Sequence, residues 1–220
     1  MKDVKKYVRK PFLFLTLFTQ VLLSHAQPAM ATTCAPTDQG LDNLSFARYR
    51  TRLLQASGRK DVTALKKMVS PRVKIGYGSD NGWDAFVNRW NLRQSPTTSK
   101  LWKELDEALT LGGKFTDGGT RFAAPYVYHC DMQDPYQDAV VMGKNVALRQ
   151  AASLSSEVLQ RLTYEVVTVL DVKEPWAKVK LGNTEGYISK AFLRKGIDYR
   201  AGFTRNAQGS WQMDFFLAGD

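Results

Sequence analysis

The chain has 220 residues, of which 24% are charged, and its formal net charge is +10. It contains no Gly-x-Ser-x-Gly elbow, no Walker phosphate loop and no His-Glu-x-x-His helix, which excludes three common enzyme signatures. A basic chain favours anionic counterparts, among them envelope polymers, acidic lipid head groups and acidic proteins.

The first 31 residues have the three parts of an export signal. A basic head is followed by an apolar run at residues 12–23, and Ala29-Met30-Ala31 fits the small-x-small cleavage rule. Cleavage is expected after Ala31, with Ala26 as the alternative. The apolar run is shorter than the roughly 20 residues that cross a bilayer, so no stable membrane anchor is expected. Cleavage removes five basic and one acidic side chain, which lowers the net charge from +10 to +6. The predicted location is periplasmic or secreted, where nucleic acid is not an expected partner.

Two cysteines, Cys34 and Cys130, follow the predicted cleavage site. In an exported protein this small even number predicts one disulfide between them. Cys34 near a cleavage site also suggests lipidation, but Thr33 precedes it where lipoproteins have Gly, Ala or Ser. A Cys34–His129 nucleophile pair is the catalytic alternative. One histidine and two cysteines do not make a four-ligand zinc set, and no metal or cofactor is expected.

The first helix pattern, residues 44–56, is amphipathic and basic. Leu44, Leu53 and other apolar residues interleave with arginines, and Ser57-Gly58 ends the pattern. The helix begins the densest basic cluster of the chain that follows the predicted leader, whose members are Arg48, Arg50, Arg52, Arg59, Lys60, Lys66 and Lys67. This cluster is either a solvated face or the surface through which the protein binds or inhibits a partner.

More helices and strands are predicted before residue 136. Asp61 caps a helix over residues 62–69, and residues 72–77 form a strand. A third helix begins after a cap at Asp80 or Asn81, and a fourth begins after Ser99. Their apolar faces are formed by Trp83, Phe86, Val87 and Trp90 and by Trp102, Leu105 and Leu109. Residues 114–115 and 121–128 are typical of a β-hairpin.

Four carboxylates of this region offer an enzymatic alternative. Asp80, Asp84, Glu104 and Glu107 lie near predicted helix starts or faces, where two of them would act as the acid and base of a cell-envelope hydrolase that cleaves glycosides. Carboxylates at helix starts are also common as caps or solvated charges, and no spacing here is diagnostic.

Residues 146–193 have the alternation of a small β-barrel. In the segment Trp176 to Leu181, Ala177 and Val179 fall on one face and Lys178 on the other. A polar loop at residues 150–157 follows the first short strand, and a β-branched run at residues 165–170 is typical of a buried strand. A helical turn at residues 189–193 would close the barrel.

These pieces resemble the bacterial SH3 (SH3b) family, whose pattern is Val-x-Leu-Arg, Trp-x-x-Val, Gly-Tyr/Trp-Val/Ile and a closing Leu. The matching residues are Val146, Leu148, Arg149, Trp176, Val179, Gly186, Tyr187, Ile188 and Leu193. The resemblance implies an SH3-like barrel, placed at residues 138–195, that binds peptidoglycan or an envelope protein. It also implies that Trp176 and Phe192 flank the ligand groove, with Tyr187 as a third contact. The alternative is that Tyr187 and Phe192 are part of the barrel core.

The last residues have the alternation of another β-hairpin. Tyr199, Ala201 and Phe203 alternate before a turn, and Trp211, Met213 and later residues alternate after it. An SH3-like barrel is complete without these strands, so they are expected to pack on the first domain. The chain also resembles exported SH3b proteins of Gram-negative bacteria that end in Trp-x-Met and Ala-Gly-Asp, a resemblance that implies location and architecture and no assigned activity.

The predicted fold class is α+β. A helical and β domain from residues 35–136 and 196–220 receives the barrel at residues 138–195 as an insert. The predicted function is that of a non-catalytic exported binding protein. The oligomeric state and the identity of the ligand are not indicated by the sequence.

Overall fold

A computed structural model describes residues 32–219, so the predicted leader lies outside the described residues. The four helices of the described part all precede residue 111: α1 (Leu44–Gly58), α2 (Val62–Met68), α3 (Trp83–Arg89) and α4 (Leu101–Thr110). The strands of the first half are β1 (Val69–Lys74), β2 (Lys114–Thr116), β3 (Arg121–Ala124) and β4 (Asp138–Val141). The barrel, to which β4 also belongs, has the further strands β5 (Val146–Arg149), β6 (Val158–Leu162), β7 (Val166–Lys173), β8 (Trp176–Leu181), β9 (Thr184–Ser189) and β10 (Leu193–Lys195). The tail forms β11 (Arg200–Arg205) and β12 (Trp211–Leu217).

The five-stranded sheet has the order β1-β12-β11-β3-β2. The tail hairpin therefore lies in the middle of this sheet, between strands that come from residues 69–124. β12 pairs in parallel with β1 and antiparallel with β11, which itself pairs with β3. This pairing follows from the apolar alternation of the tail, because its large side chains need a covered face.

The helices cover this sheet with a core rich in aromatic rings. Phe46 of α1 is fully buried and its ring lies 4.2 Å from Phe122 and 5.1 Å from Trp211, measured between centroids. Burial raises the pKa of Tyr49, whose hydroxyl donates to the Met68 carbonyl at 2.8 Å. The space between α1 and the sheet is thus filled with side chains.

The seven-stranded sheet has the order β10-β4-β7-β8-β9-β5-β6 and forms the barrel. Its own core is a separate cluster of small and branched apolar residues, with Leu148, Ala177, Val179 and Ile188 fully buried. The structure has the predicted α+β class, with a mixed helical and sheet part, an SH3-like barrel and a tail hairpin packed on the first part.

A segment ahead of α1, residues 32–38, joins the two sheets. The Cys34 amide donates to the Tyr164 carbonyl at 2.7 Å on the barrel, and Asp38 forms a parallel bridge with Gly113 beside β2. The predicted disulfide between Cys34 and Cys130 is present, with Cα atoms 5.7 Å apart. The joining segment is thus attached to both sheets.

Two predicted strands have different bounds in the structure. The first strand runs over Val69–Lys74 instead of residues 72–77 and directly continues α2. The strand predicted over residues 121–128 ends at Ala124, because Pro125 follows and a 3-10 turn occupies Tyr126–His129.

The predicted cap of α3 was wrong. This helix begins after Gly82, at φ 95°, and Gly82 makes no side-chain cap. Asn81 instead accepts from the Ile75 amide at 2.9 Å and donates to the Gly78 carbonyl at 2.7 Å, so its side chain holds the preceding loop.

Leu44 was expected on the inner face of α1 and is 64% exposed. The buried stripe of α1 is formed instead by Phe46, Tyr49, Leu53 and Ala56. This stripe has the three- and four-residue spacing of one helix face.

Candidate functional site

The outer face of β8 and β9 carries two of the three predicted contact aromatics. Ala177 and Ile188 are opposite each other and fully buried, so their chain neighbours must point outwards. Trp176 and Tyr187 therefore share the outer face, where Tyr187 lies opposite Lys178. Both rings belong to half-buried residues. The alternative that Tyr187 is a core residue was wrong, because Ile188 takes the inward position.

Charged side chains surround these two rings. Lys178 donates to Glu185 at 2.7 Å, which lowers the pKa of Glu185 and raises that of Lys178. Arg149 of β5 lies opposite Tyr187 and donates to the Ser156 carbonyl at 2.8 Å, so the polar loop is held beside the face. The face thus offers flat rings flanked by both signs of charge.

The third predicted aromatic, Phe192, lies in the closing 3-10 turn (Lys190–Phe192). It is 45% exposed, and its carbonyl accepts from the Met142 amide at 2.7 Å. The turn begins next to the start of β8, because the Lys190 amide donates to the Pro175 carbonyl at 2.8 Å. Within residues 32–219, none of the three rings touches another aromatic ring, and their faces are not covered by ring stacking.

Sequence reasoning missed a groove between α4 and the closing turn. Its volume is about 710 Å³, and it is lined on one side by Glu104 and Glu107 and on the other by Lys190 and Arg194. The Arg194 side chain is 10% exposed, lies 3.6 Å from Glu107, and donates to the Tyr199 carbonyl at 2.7 Å. No local sequence signal marks this groove, since its two walls are some 80 residues apart in the chain.

The four carboxylates of the enzymatic alternative do not come together. Glu104 and Glu107 share the groove, but Glu107 also pairs with Lys103 at 3.2 Å and raises the pKa of that lysine. Asp84 is exposed and pairs with Arg93 at 2.6 Å, outside the groove. Asp80 is exposed in the loop before α3.

His129 and Cys130 both make structural contacts. Cys130 is in the disulfide, and the His129 Nε2 lies 3.1 Å from the Ala123 carbonyl oxygen. Burial lowers the pKa of His129. Within the described part of the chain no group of three or more His, Cys, Asp or Glu side chains is placed to hold a metal ion. No described helix is long and apolar enough to cross a membrane.

Comparison with known proteins assigns the barrel to a family. Residues 144–194 match the family model described as bacterial SH3 domain, so the chain contains a bacterial SH3 domain. The match covers strands β5 to β9 and the closing turn, with the outer face described above. Neither the curated proteins nor the solved structures gave a match. The wider resemblance to exported proteins of Gram-negative bacteria stays a prediction.

Proposed function

We propose that the protein is an exported, non-catalytic binding protein whose barrel holds a peptidoglycan peptide or an envelope protein on its outer face. Bacterial SH3 domains commonly bind peptidoglycan, which supplies the ligand class. The observation that carries the proposal is the shared outer face of Trp176 and Tyr187, half-buried and flanked by the Lys178–Glu185 pair.

The chemistry of this face suits a peptide. Aromatic rings provide broad contact area at little cost in side-chain freedom, and the ammonium and carboxylate groups beside them complement amide and charged groups of a ligand. Phe192, on the closing turn next to the start of β8, would extend the contact along the barrel.

An extracytoplasmic location agrees with two features. The chain begins with a leader-like segment, and both cysteines of the described residues form a disulfide, a bond that persists in oxidising compartments. We therefore propose that the protein works in the periplasm or outside the cell.

Replacement of Trp176 tests the binding face. Trp176→Ala should weaken retention on isolated sacculi, or on a crosslinked envelope protein, by at least about 30-fold, because truncating an aromatic anchor commonly costs about 2 kcal/mol or more. Binding isotherms at low and at moderate salt measure the effect, and circular dichroism shows that the fold is kept. Binding by the face should survive moderate salt.

Leu154→Ala is the matched control, since Leu154 is an exposed apolar residue in the loop of the same barrel. It should bind like the parent protein. Charge-driven retention would give the opposite pattern: moderate salt would release the protein, because exposed charges are screened over about 10 Å at 0.1 M salt, and Trp176→Ala would have no effect. That pattern, or turnover of a wall fragment by the parent protein, contradicts the proposal.

A further inference from the structure

A row of arginines runs along α1 beside its buried face. Arg48 and Arg52 lie one turn apart on α1, and Arg59, the C-cap residue that follows the helix, continues their row at i+11 from Arg48. All three are exposed. Arg50 differs from them, because it is buried and paired with Asp38 at 2.7 Å.

The cationic surface continues onto α2. α2 packs against α1, where the Tyr49 hydroxyl in the middle of α1 donates to the Met68 carbonyl at the end of α2 at 2.8 Å. The further exposed cations of this surface are Lys60, Lys66 and Lys67. Arg72 and Lys74 of β1 are exposed too, but they flank the buried Val73 and so lie on the sheet face opposite the helices. No carboxylate within residues 32–219 lies within ion-pair distance of the three lysines or the three arginines of this surface. Between residues 41 and 74 the acidic side chains are Asp42 and Asp61, and Asp61 accepts from the Ala64 amide as the cap of α2.

Two leucines stand at the start of this cationic surface. Leu44 is 64% exposed and lies one helical turn before Arg48, so both occupy one face of α1. Leu41, in the 3-10 turn Gln39–Leu41, is 68% exposed. We call this surface the α1 face: Leu41, Leu44 and the six exposed cations Arg48, Arg52, Arg59, Lys60, Lys66 and Lys67.

We propose that the α1 face docks reversibly on an anionic lipid bilayer. Basic side chains with adjoining apolar ones are the pattern of segments that lie in a membrane interface, where the cations meet acidic head groups and the apolar residues enter the acyl boundary. A soluble polyanion or an acidic protein would satisfy the cations but would give the exposed leucines no apolar surroundings. The proposal is independent of the ligand of the barrel.

Vesicle binding tests this proposal with the protein purified from the envelope, so that every variant has the same processed form. The parent should sediment with vesicles that contain phosphatidylglycerol and not with pure phosphatidylcholine vesicles, and salt should weaken the binding. Arg48→Gln, Arg52→Gln and Arg59→Gln combined should lower the partition coefficient about 100-fold. The combined Arg89→Gln, Lys100→Gln and Lys144→Gln variant removes the same charge from exposed positions elsewhere and should stay within a few-fold of the parent.

The leucines separate a bilayer from a soluble polyanion. Leu41→Ser with Leu44→Ser should lower vesicle partitioning about tenfold and leave binding to soluble polyphosphate unchanged. Trp176→Ala should leave vesicle binding unchanged, so a failure of the barrel proposal would not alter this outcome.

Three results would overturn the docking proposal. They are no binding to phosphatidylglycerol vesicles, equal losses in the two charge variants, and full vesicle binding by the leucine variant. The last of these, together with tight polyphosphate binding, would assign the α1 face to a soluble polyanion.

Discussion

Arg50 shows how the position of one residue on a helix decides its role. It stands among the arginines of α1, yet it lies one turn after Phe46 and so turns towards the core. There its two terminal nitrogens meet both oxygens of Asp38, each at 2.7 Å. Asp38 also accepts from the Gly40 amide at 3.1 Å, so this pair fixes the approach to α1. A bidentate guanidinium–carboxylate pair fixes the relative orientation of the two side chains, which a lysine would not do.

At the same scale, His129 should make stability depend on pH. Burial lowers its pKa below the ordinary value of 6.5, so between the two pKa values the unfolded chain binds more protons than the folded one. The free energy of unfolding therefore falls as the pH drops through and below that ordinary value. Urea unfolding of the parent and of His129→Gln between about pH 7.5 and about pH 5.5 measures the effect.

The glutamine amide still has a donor for the Ala123 carbonyl, and it does not titrate. The variant should therefore lose part of the pH slope while it keeps the fold. Identical slopes in the two proteins would show that His129 takes up no extra proton on unfolding.

At the scale of elements, the tail hairpin is central to the five-stranded sheet. Removal of residues 196–220 would separate β1 from β3 and expose the rings that β11 and β12 cover, including Phe46 and Phe122. We expect amide exchange in α1 and α4 to accelerate more than about 100-fold, while the barrel strands keep their protection. Hydrogen exchange read by mass spectrometry distinguishes the two regions.

A cut after Lys195 leaves β10 paired with β4, so the barrel sheet stays complete. Leu154→Ala, in the polar loop of the barrel, is a control that should not disturb the helices. Unchanged protection of α1 in the tail deletion would contradict the inserted-barrel organisation, which otherwise stays a prediction.

The elements that the sequence predicted well are those in which local pattern and burial agree. The alternation of β8 placed Ala177 and Val179 inside, and the structure buries both completely. The leucine at the start of α1 and the cap of α3 were wrong predictions, and at both places the side-chain hydrogen bonds differ from the local preference. Ser45, next to Leu44, accepts from the Trp211 indole of the tail at 2.9 Å, and Asn81 accepts from the Ile75 amide six residues earlier instead of capping α3.

The two aromatic residues of the candidate site on β8 and β9 were also predictable from the local pattern. Trp176 and Tyr187 follow from strand alternation once Ile188 is taken as buried. The groove with Arg194 and Glu107 was not predictable. It forms where α4 packs against the barrel, and no local pattern in a single sequence indicates which distant elements pack together.

At the scale of the whole molecule, we expect the same protein molecules to show both leader cleavage and disulfide formation. Protein extracted from the envelope should have an intact mass that corresponds to cleavage after Ala31, lower by two hydrogens than the dithiol, because Cys34 and Cys130 are joined. Thiol trapping before extraction and mass spectrometry after it measure both features. A retained leader, trapped thiols or a lipid adduct on Cys34 would contradict the prediction.

Residues 32–38 connect the barrel to the five-stranded sheet, and so connect the two proposed binding faces. The Cys34 amide bonds to Tyr164 of the barrel, the Cys34 side chain is in the disulfide with Cys130, and Asp38 forms a bridge with Gly113 beside β2. These attachments limit how far the outer barrel face and the α1 face can move relative to each other. Two weak attachments at such a restricted spacing reinforce each other when their targets lie the same distance apart, and they fail together when the targets do not. Reduction of the disulfide would let the two faces move further relative to each other. The combined binding would then depend less on the distance between the two targets, even with the affinity of each face unchanged.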